Sequence, residues 1–234
     1  MNAVIIPAGG IGSRVGEKIP KQFLEIAGKP LIAHTLSVFE QVDEIDLLVV
    51  PVLSEWKETL KDLLNGFSKP YLLASGGETR QASVANGFSL LPEDTEIVLV
   101  HDACRPFITP ELTRQVISKI KEKGAALAAL PARDTVKEVE EKRVVRTLPR
   151  ERIFLAHTPQ GAQYFLFKRA LTYSQERNLV FTDEAALFEA AGIEVYVVPS
   201  SPLNFKITTK EDFELAKCLL ERNLNGGHYE SNFF

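Results

Sequence analysis

The sequence predicts an α/β fold with a mainly parallel sheet and helices on both faces, and three observations lead there. Short apolar runs rich in β-branched residues alternate with segments of helical period along most of the 234 residues, as in parallel strands joined by crossover helices. The loops that follow these runs are rich in glycine or charge, as expected where ligands gather at the carboxyl ends of strands. Finally, 45% hydrophobic residues without a long apolar span supply a core of ordinary size, and we expect one large domain rather than two small ones.

Taken in order, the predicted strands are Ala3 to Ile6, Ile45 to Val50, Tyr71 to Ala74, Glu96 to Val100, Ala125 to Leu130 and Ile193 to Val198. The predicted helices are Leu31 to Phe39, Ser54 to Leu64, Thr79 to Leu91, Pro110 to Lys123, Gln163 to Tyr173, Asp183 to Ala190 and Lys210 to Arg222. Ser54 and the pair Thr109-Pro110 read as start signals, because a hydroxyl can satisfy an orphan N–H and proline is tolerated at the first helical position. The stretch Ala132 to Arg152 breaks the alternation: Thr135 to Val139 and Val144 to Leu148 flank a charged turn and predict a β-hairpin. A two-stranded ribbon is marginal alone in water, so it must lie on its own domain or on another subunit; the residues by themselves leave both open. Residues 1–224 are expected to form the domain, with 225–234 a frayed tail in which His228 is no ligand.

A surplus of acid, 31 Asp and Glu against 27 Lys and Arg, gives no general attraction for a polyanion, so no nucleic acid is expected and the basic residues are assigned to a small anion. No membrane segment or cleavable leader is legible. Cys104 and Cys218 lack a C-x-x-C partner, which argues against a zinc site or disulfide framework and fits a reducing, cytoplasmic setting.

The first loop, IIPAGGIGSRVGEKIPKQFLEI from Ile5, resembles a phosphate cradle but matches neither common fingerprint. Its Gly10, Gly12 and Gly16 read G-x-G-x-x-x-G, and no Walker lysine pattern is present. Glycines there allow backbone N–H groups close to phosphate oxygens, while Arg14 and Lys21 add positive charge, a mixture that suits a triphosphate. Gly76-Gly77-Glu78-Thr79 opens a helix against which a base or ribose could lie, or is a plain capped helix start. In LVHDACRPF, Asp102 suits Mg²⁺ or a ribose hydroxyl and Arg105 a second anion. His34, His101 and His157 read as structural. No Ser-His-Asp set, catalytic carboxylate pair or activated cysteine is evident, whereas Arg14, Lys21, Arg105, Arg150 and Lys206 suit phosphoryl or nucleotidyl transfer, in which positioning and charge neutralisation dominate.

Seven stretches in order, PAGGIGSRVGEKIPKQFLEIAGKPL, GGETRQASV, HDACRPF, ARDTVK, TPQ, TDEA and NFKITT, resemble the 2-C-methyl-D-erythritol 4-phosphate cytidylyltransferases over about Ala3 to Leu220. The resemblance implies a single Rossmann-like domain of the nucleotide-diphospho-sugar transferase type. It also implies a protruding arm at 132–152 that crosses to the partner in a homodimer, and CMP transfer from CTP to the polyol phosphate with Mg²⁺ or another divalent cation. It assigns Arg14 and Lys21 to transition-state charge, and Arg150 and Lys206 to orienting the attack. Ala8, Gly9, Gly10, Gly12, Gly77, Glu78 and Ser83 fall at the cytosine and triphosphate, and Asp102 and Ala103 at the ribose and metal region. Arg105, Thr135, Thr158 and Thr182 fall around the polyol phosphate. Gly9 stands where the family often has alanine, Cys104 where it has alanine and Phe205 where it has isoleucine. The nearest rival is a cytidylyltransferase for another polyol phosphate such as ribitol 5-phosphate. A dehydrogenase lacks its fingerprint here, and a nucleotide-binding regulator has little need for Asp102, Arg150 and Lys206 together.

Overall fold

Ala3, Val4, Ile5 and Ile6 are all fully buried, which requires cover on both faces of the strand they form. The computed structural model, which describes residues 1–10 and 19–224, supplies that cover. Strand β1 (Asn2–Ile5) is followed by a 3₁₀ turn at Lys21–Phe23, the short pair β2 (Glu25–Ile26) and β3 (Lys29–Pro30), and helix α1 (Leu31–Glu40). Next come β4 (Leu47–Val52), a 3₁₀ turn at Ser54–Trp56, α2 (Lys57–Leu64), β5 (Tyr71–Ser75), α3 (Arg80–Phe88) and β6 (Ile97–Val100). The chain continues through α4 (Pro110–Lys123), β7 (Ala125–Pro131), the hairpin β8 (Val136–Glu140) and β9 (Arg143–Leu148), and β10 (Phe154–Gln163). It closes with α5 (Tyr164–Glu176), α6 (Glu184–Ala190), β11 (Tyr196–Pro199) and α7 (Lys210–Leu224).

Seven strands form one sheet in the order β11-β7-β10-β6-β1-β4-β5. All neighbours are parallel except β10, which runs antiparallel to both β6 and β7. The period of two along β1 divides the core. Val4 and Ile6 face Leu36 and Phe39 of α1, Leu60 of α2 and Val116 and Ile120 of α4, while Ala3 and Ile5 face Val84 and Phe88 of α3, Phe167 of α5 and Phe188 of α6. Each such aliphatic or aromatic side chain contributes about 1.5–3 kcal/mol on burial.

The helix ends follow local chemistry. Thr109 caps α4 by accepting from the Leu112 N–H at 3.2 Å, Pro110 takes the first turn, and Gly124 closes the helix at φ 95°. Thr79 caps α3 in the same way, accepting from Ala82 at 3.0 Å, so that helix starts at Arg80 and stops at Phe88, short of the Leu91 expected from its period. Ser54 does not cap: it opens a 3₁₀ turn with no side-chain hydrogen bond, and α2 begins at Lys57.

The largest difference from expectation is β10. Its sequence FLAHTPQGAQ, which is not among the predicted strands, carries a proline and a glycine, yet it lies in the interior of the sheet. The ladder with β7 shifts register between Ala156 and Gln160, so Pro159 stands where no N–H is required. Gly161 faces a different demand, since a Cβ there would sit 2.3 Å from the Val98 carbonyl oxygen.

The predicted hairpin is present. Glu140 pairs with Arg143 across a two-residue loop whose Glu141 and Lys142 both take positive φ, 47° and 65°, and the ribbon forms a two-stranded sheet of its own. Val139, Val144 and Val145 on it are half exposed, at 52%, 56% and 45%.

Candidate active site

The chain leaves β1 for β4 and β5 on one side, then returns to β6 on the other. Their carboxyl ends therefore flank the crevice where an open α/β sheet binds ligands.

The loop after β1 is set by backbone and by one amide. Ala8 is buried and donates its N–H to the Pro51 carbonyl at 2.7 Å, while Gln22, 3% exposed, donates from its amide to the carbonyls of Ala8 (2.6 Å) and Gly10 (2.9 Å). A Cβ at Gly9 would meet the Gly76 Cα at 2.9 Å, so a side chain there would force the two closely passing glycine loops apart, whereas a Cβ at Gly10 would meet nothing within 4 Å. At Gly77 a Cβ would stand 2.5 Å from the Ala82 Cβ. Its N–H is donated to the buried Ser83 hydroxyl (2.9 Å), which donates in turn to the Thr79 carbonyl (3.0 Å), making this turn first of all a capped helix start. Glu78 is exposed.

After β6 the chain enters a buried polar cluster. His101 is fully buried, with Nε2 3.1 Å from the Arg105 carbonyl and Nδ1 3.0 Å from the Thr158 hydroxyl. A carbonyl only accepts, so Nε2 carries the proton, and Thr158 donates to Nδ1 while accepting from the Asp102 N–H at 3.1 Å. Burial, above all, holds His101 at about 3, so it is a neutral strut, as its sequence context suggested. His157 sits beside Ser200 at 2.9 Å and is likewise pushed down to about 4 by burial.

Asp102 stands at the centre, only 7% exposed. Its Oδ1 accepts from Arg80 Nε at 3.1 Å and its Oδ2 from Arg105 Nε at 3.2 Å, while Lys206 Nζ makes an ion pair with the same Oδ2 at 3.1 Å. Burial works against the charge, but Arg80, Lys206 and Arg105 together outweigh it and hold the carboxyl far below the usual range. Arg105 also donates to the Asn204 carbonyl at 2.7 Å, and burial works against its charge. Arg80 completes the cluster with a bidentate pair to Glu184, at 2.6 and 2.9 Å.

Lys206 is carried by a segment outside the helices and strands, between β11 and α7, that its neighbours pin down. Phe205 stacks on Phe107 with centroids 5.5 Å apart, and the Ile207 N–H donates to the Cys104 carbonyl at 2.9 Å. The Ile207 carbonyl accepts from Lys21 Nζ, also at 2.9 Å, which brings Lys21 and Lys206 to one place from positions far apart in the chain. The buried Cys104 thiol lies among them: burial pushes it up to about 11, against the pull of Lys21 and Lys206, and it is no nucleophile.

The structure thus gathers Lys21, Asp102, Arg105, Thr158 and Lys206 in one cluster. Ala103 lies beneath, its carbonyl accepting from the Thr35 hydroxyl at 2.9 Å, and Thr182 is exposed just before α6. Thr135 and Arg150 stay on the exposed arm, where Arg150 donates to the Arg133 carbonyl at 2.9 Å. Arg14 and Gly12 lie outside the described residues, as do residues 225–234.

Sequence reasoning missed Arg80, Glu184, Gln22 and Gln160. Gln160 ties TPQ to TDEA: its amide donates to Asp183 and the His157 carbonyl, both at 3.0 Å, and its oxygen accepts from the Ala185 N–H at 2.8 Å. One signal for Arg80 was available. A cation in the first turn of a helix opposes the macrodipole by roughly 0.3–1 kcal/mol, so an arginine there needs another purpose.

The donor set does not fit a metal held by the protein. Among the described residues no group of three His, Cys, Asp or Glu side chains comes together, and both oxygens of Asp102 are occupied by cations. Magnesium bound largely by phosphate oxygens and water needs no such cage.

Comparison with known proteins agrees with this architecture. The family model described as 2-C-methyl-D-erythritol 4-phosphate cytidylyltransferase matches residues 2–222. Proteins of that name from Acidobacterium capsulatum and Halalkalibacterium halodurans are 40% and 39% identical, over 94% and 93% of this chain and 97% and 96% of their own. The crystal structure of 4-diphosphocytidyl-2C-methyl-D-erythritol synthase from Anaerococcus prevotii superposes with a TM-score of 0.86 at 29% identity, covering 94% of this chain and 96% of that one. The 2-C-methyl-D-erythritol 4-phosphate cytidylyltransferase of Francisella tularensis superposes at 0.79 with 35% identity, over 93% and 98%. With Lys21, Asp102, Arg105, Thr158 and Lys206 converging on one crevice of the expected sheet, the chain belongs to the 2-C-methyl-D-erythritol 4-phosphate cytidylyltransferase family.

Proposed function

We propose that the domain over residues 1–224 transfers the CMP moiety of CTP to 2-C-methyl-D-erythritol 4-phosphate, in the non-mevalonate route to isoprenoid precursors. A phosphate oxygen of the polyol phosphate forms a bond to the α-phosphorus. The bond from that phosphorus to the bridging oxygen breaks, and pyrophosphate leaves with the electron pair. The products are 4-diphosphocytidyl-2-C-methyl-D-erythritol and pyrophosphate. The observation that carries this reading is the meeting of Lys21 and Lys206 beside the buried Asp102 cluster.

Two anions must approach each other, and the chain's contribution is fixed positive charge. Lys21 and, by the family resemblance, Arg14 neutralise the charge that grows on the α-phosphoryl oxygens. Lys206, tethered to Asp102 yet with its side chain 37% exposed, orients the incoming phosphate, as do Arg105, Thr158 and Thr182 around it. Ala8, Gly9, Gly10, Gly77, Glu78 and Ser83 border the place of the cytosine and triphosphate, and Asp102 and Ala103 that of the ribose. Magnesium is assigned to the nucleotide, as MgCTP, where it shields the phosphate charge.

Thr135 and Arg150 are assigned to a partner's site, with the arm at 132–152 joining a homodimer. The support is apolar area exposed on the single chain, on Val139, Val144 and Val145 of the hairpin and on Phe154 and Leu155 beyond it. Among the described residues no helix is long and apolar enough to cross a membrane, and both cysteines are unpaired. We place the enzyme in the cytoplasm, where CTP is made and thiols stay reduced.

The decisive assay is pyrophosphate release from MgCTP with each polyol phosphate in turn. Methylerythritol 4-phosphate is expected to be the fastest acceptor, and Lys21→Ala is expected to lower kcat roughly 10²–10³-fold, the cost of one preorganised donor. Faster release with ribitol 5-phosphate would overturn the substrate, and nucleotide binding without turnover on either would overturn the reaction.

A further inference from the structure

The Arg80–Glu184 pair belongs to no role assigned so far, yet it is built into the same cluster. Glu184 is 3% exposed and opens α6, Arg80 opens α3, and their guanidinium–carboxylate fork spans the two helix starts. A buried ion pair is weak support for stability, since desolvation consumes most of the attraction. Its placement is more informative. Three cations, Arg80, Arg105 and Lys206, converge on one carboxylate, Asp102, and Glu184 is the second carboxylate that engages Arg80.

The division of oxygens follows from this. With its two terminal nitrogens committed to Glu184, Arg80 offers only Nε to Asp102 and takes only Oδ1. Oδ2 is left to Arg105 and Lys206. An arginine without that second partner prefers a bidentate grip on a carboxylate. On Asp102 such a grip would take Oδ2 as well and displace the ammonium of Lys206. We infer that Glu184 is a positioning residue for Lys206: by holding the guanidinium fork of Arg80, it keeps Asp102 Oδ2 for the lysine that orients the phosphate of the polyol substrate.

This inference rests on the proposed role of Lys206, and the experiment separates the two. In the full-length protein, kcat and KM are measured for Glu184→Gln, Lys206→Ala and the double variant, with thermal melting as a check of folding. Glu184→Gln keeps the shape and removes the charge. Alone it is expected to lower kcat roughly tenfold to a hundredfold, as for a misplaced reacting partner, with KM for CTP within threefold. In the Lys206→Ala background the same change is expected to cost less than twofold, because there is no ammonium left to displace. A merely destabilised fold would lose the same factor in both backgrounds. Glu184→Asp, which keeps the charge on a shorter arm, should recover part of kcat, whereas Arg80→Lys, which lacks the fork, should resemble Glu184→Gln. Equal losses in both backgrounds, or a folded Glu184→Gln enzyme with kcat within twofold of the parent, would overturn the inference. Full turnover by Lys206→Ala would overturn both the inference and the site reading beneath it. If Glu184→Gln does not fold, the same cycle is run with Glu184→Asp, expected to lose threefold or more in the parent and nothing in Lys206→Ala.

Discussion

The Asp102 cluster and the hairpin arm both carry charge proposed to meet the same substrate, but they are built in opposite ways. In the cluster, Asp102, Glu184 and Arg105 are each less than 10% exposed, and their partners come from the start of α3, the loop after β6 and the segment before α7 of the same chain. On the arm, Thr135, Arg143, Arg146 and Arg150 are exposed, and the ribbon pairs only with itself within the described sheets. Charges taken out of water must be matched inside the fold, so the cluster is committed to one geometry before any ligand arrives. The arm bears no such cost and owes its own fold little. The cluster's geometry is therefore fixed by the fold itself, whereas on the proposed reading the arm's residues act through what the arm docks against.

This contrast can be broken most forcefully at its centre. Asp102→Ala leaves Arg80, Arg105 and Lys206 without their shared carboxylate and should lower the unfolding free energy by roughly 3–5 kcal/mol, the usual cost of a charge stranded in a buried pair. Urea unfolding of the purified variant measures it. A loss under 1 kcal/mol would mean that water reaches the cluster freely and that the two regions differ less than their burial implies.

Acid is a gentler probe of the same region. His101 at about 3 and His157 at about 4 both resist a proton that the unfolded chain accepts near its ordinary value of 6.5. The unfolded state thus binds more protons below 6.5, and stability must fall as pH drops through the interval from 6.5 towards 4, by at most about 1.4 kcal/mol per pH unit for each histidine. Asp102 adds its own loss only below its ordinary 3.8, since its folded value is depressed. Denaturant midpoints from pH 7 to 4.5 should show this slope, and His157→Gln should flatten it. A flat profile would contradict the burial of both rings.

The arm should yield the smallest stability effect and a large functional one. Val144→Asp, at a position 56% exposed, should change the stability of the single chain by no more than about 0.5 kcal/mol while weakening the proposed dimer in sedimentation. Mixing inactive Lys21→Ala and Arg150→Ala dimers should restore roughly a quarter of parent activity after subunit exchange, because half the dimers become mixed and each mixed dimer has one intact site. Confirmed exchange without recovery would show that Arg150 does not act across the interface.

Much of this molecule was legible in one dimension. The runs that became β1, β4, β5, β6 and β7 stand out because strands covered on both faces must be apolar at nearly every position. The bounds of α4 follow from Thr109 and Pro110 at one end and Gly124 at the other, since capping is chemistry between near neighbours. The ordered motifs carried the family, which matches over residues 2–222. Only the folded chain decided the rest. Strand β10 lies between β6 and β7 despite its proline and glycine, because a register shift and a close backbone contact accept residues that local propensity rejects. Arg80 finds Asp102 and Glu184 at separations of 22 and 104 residues, and Lys21 reaches Ile207 across 186. No period or cap encodes such pairings. They exist because the sheet order brings distant strand ends together, and because charges buried there have only one another to bind.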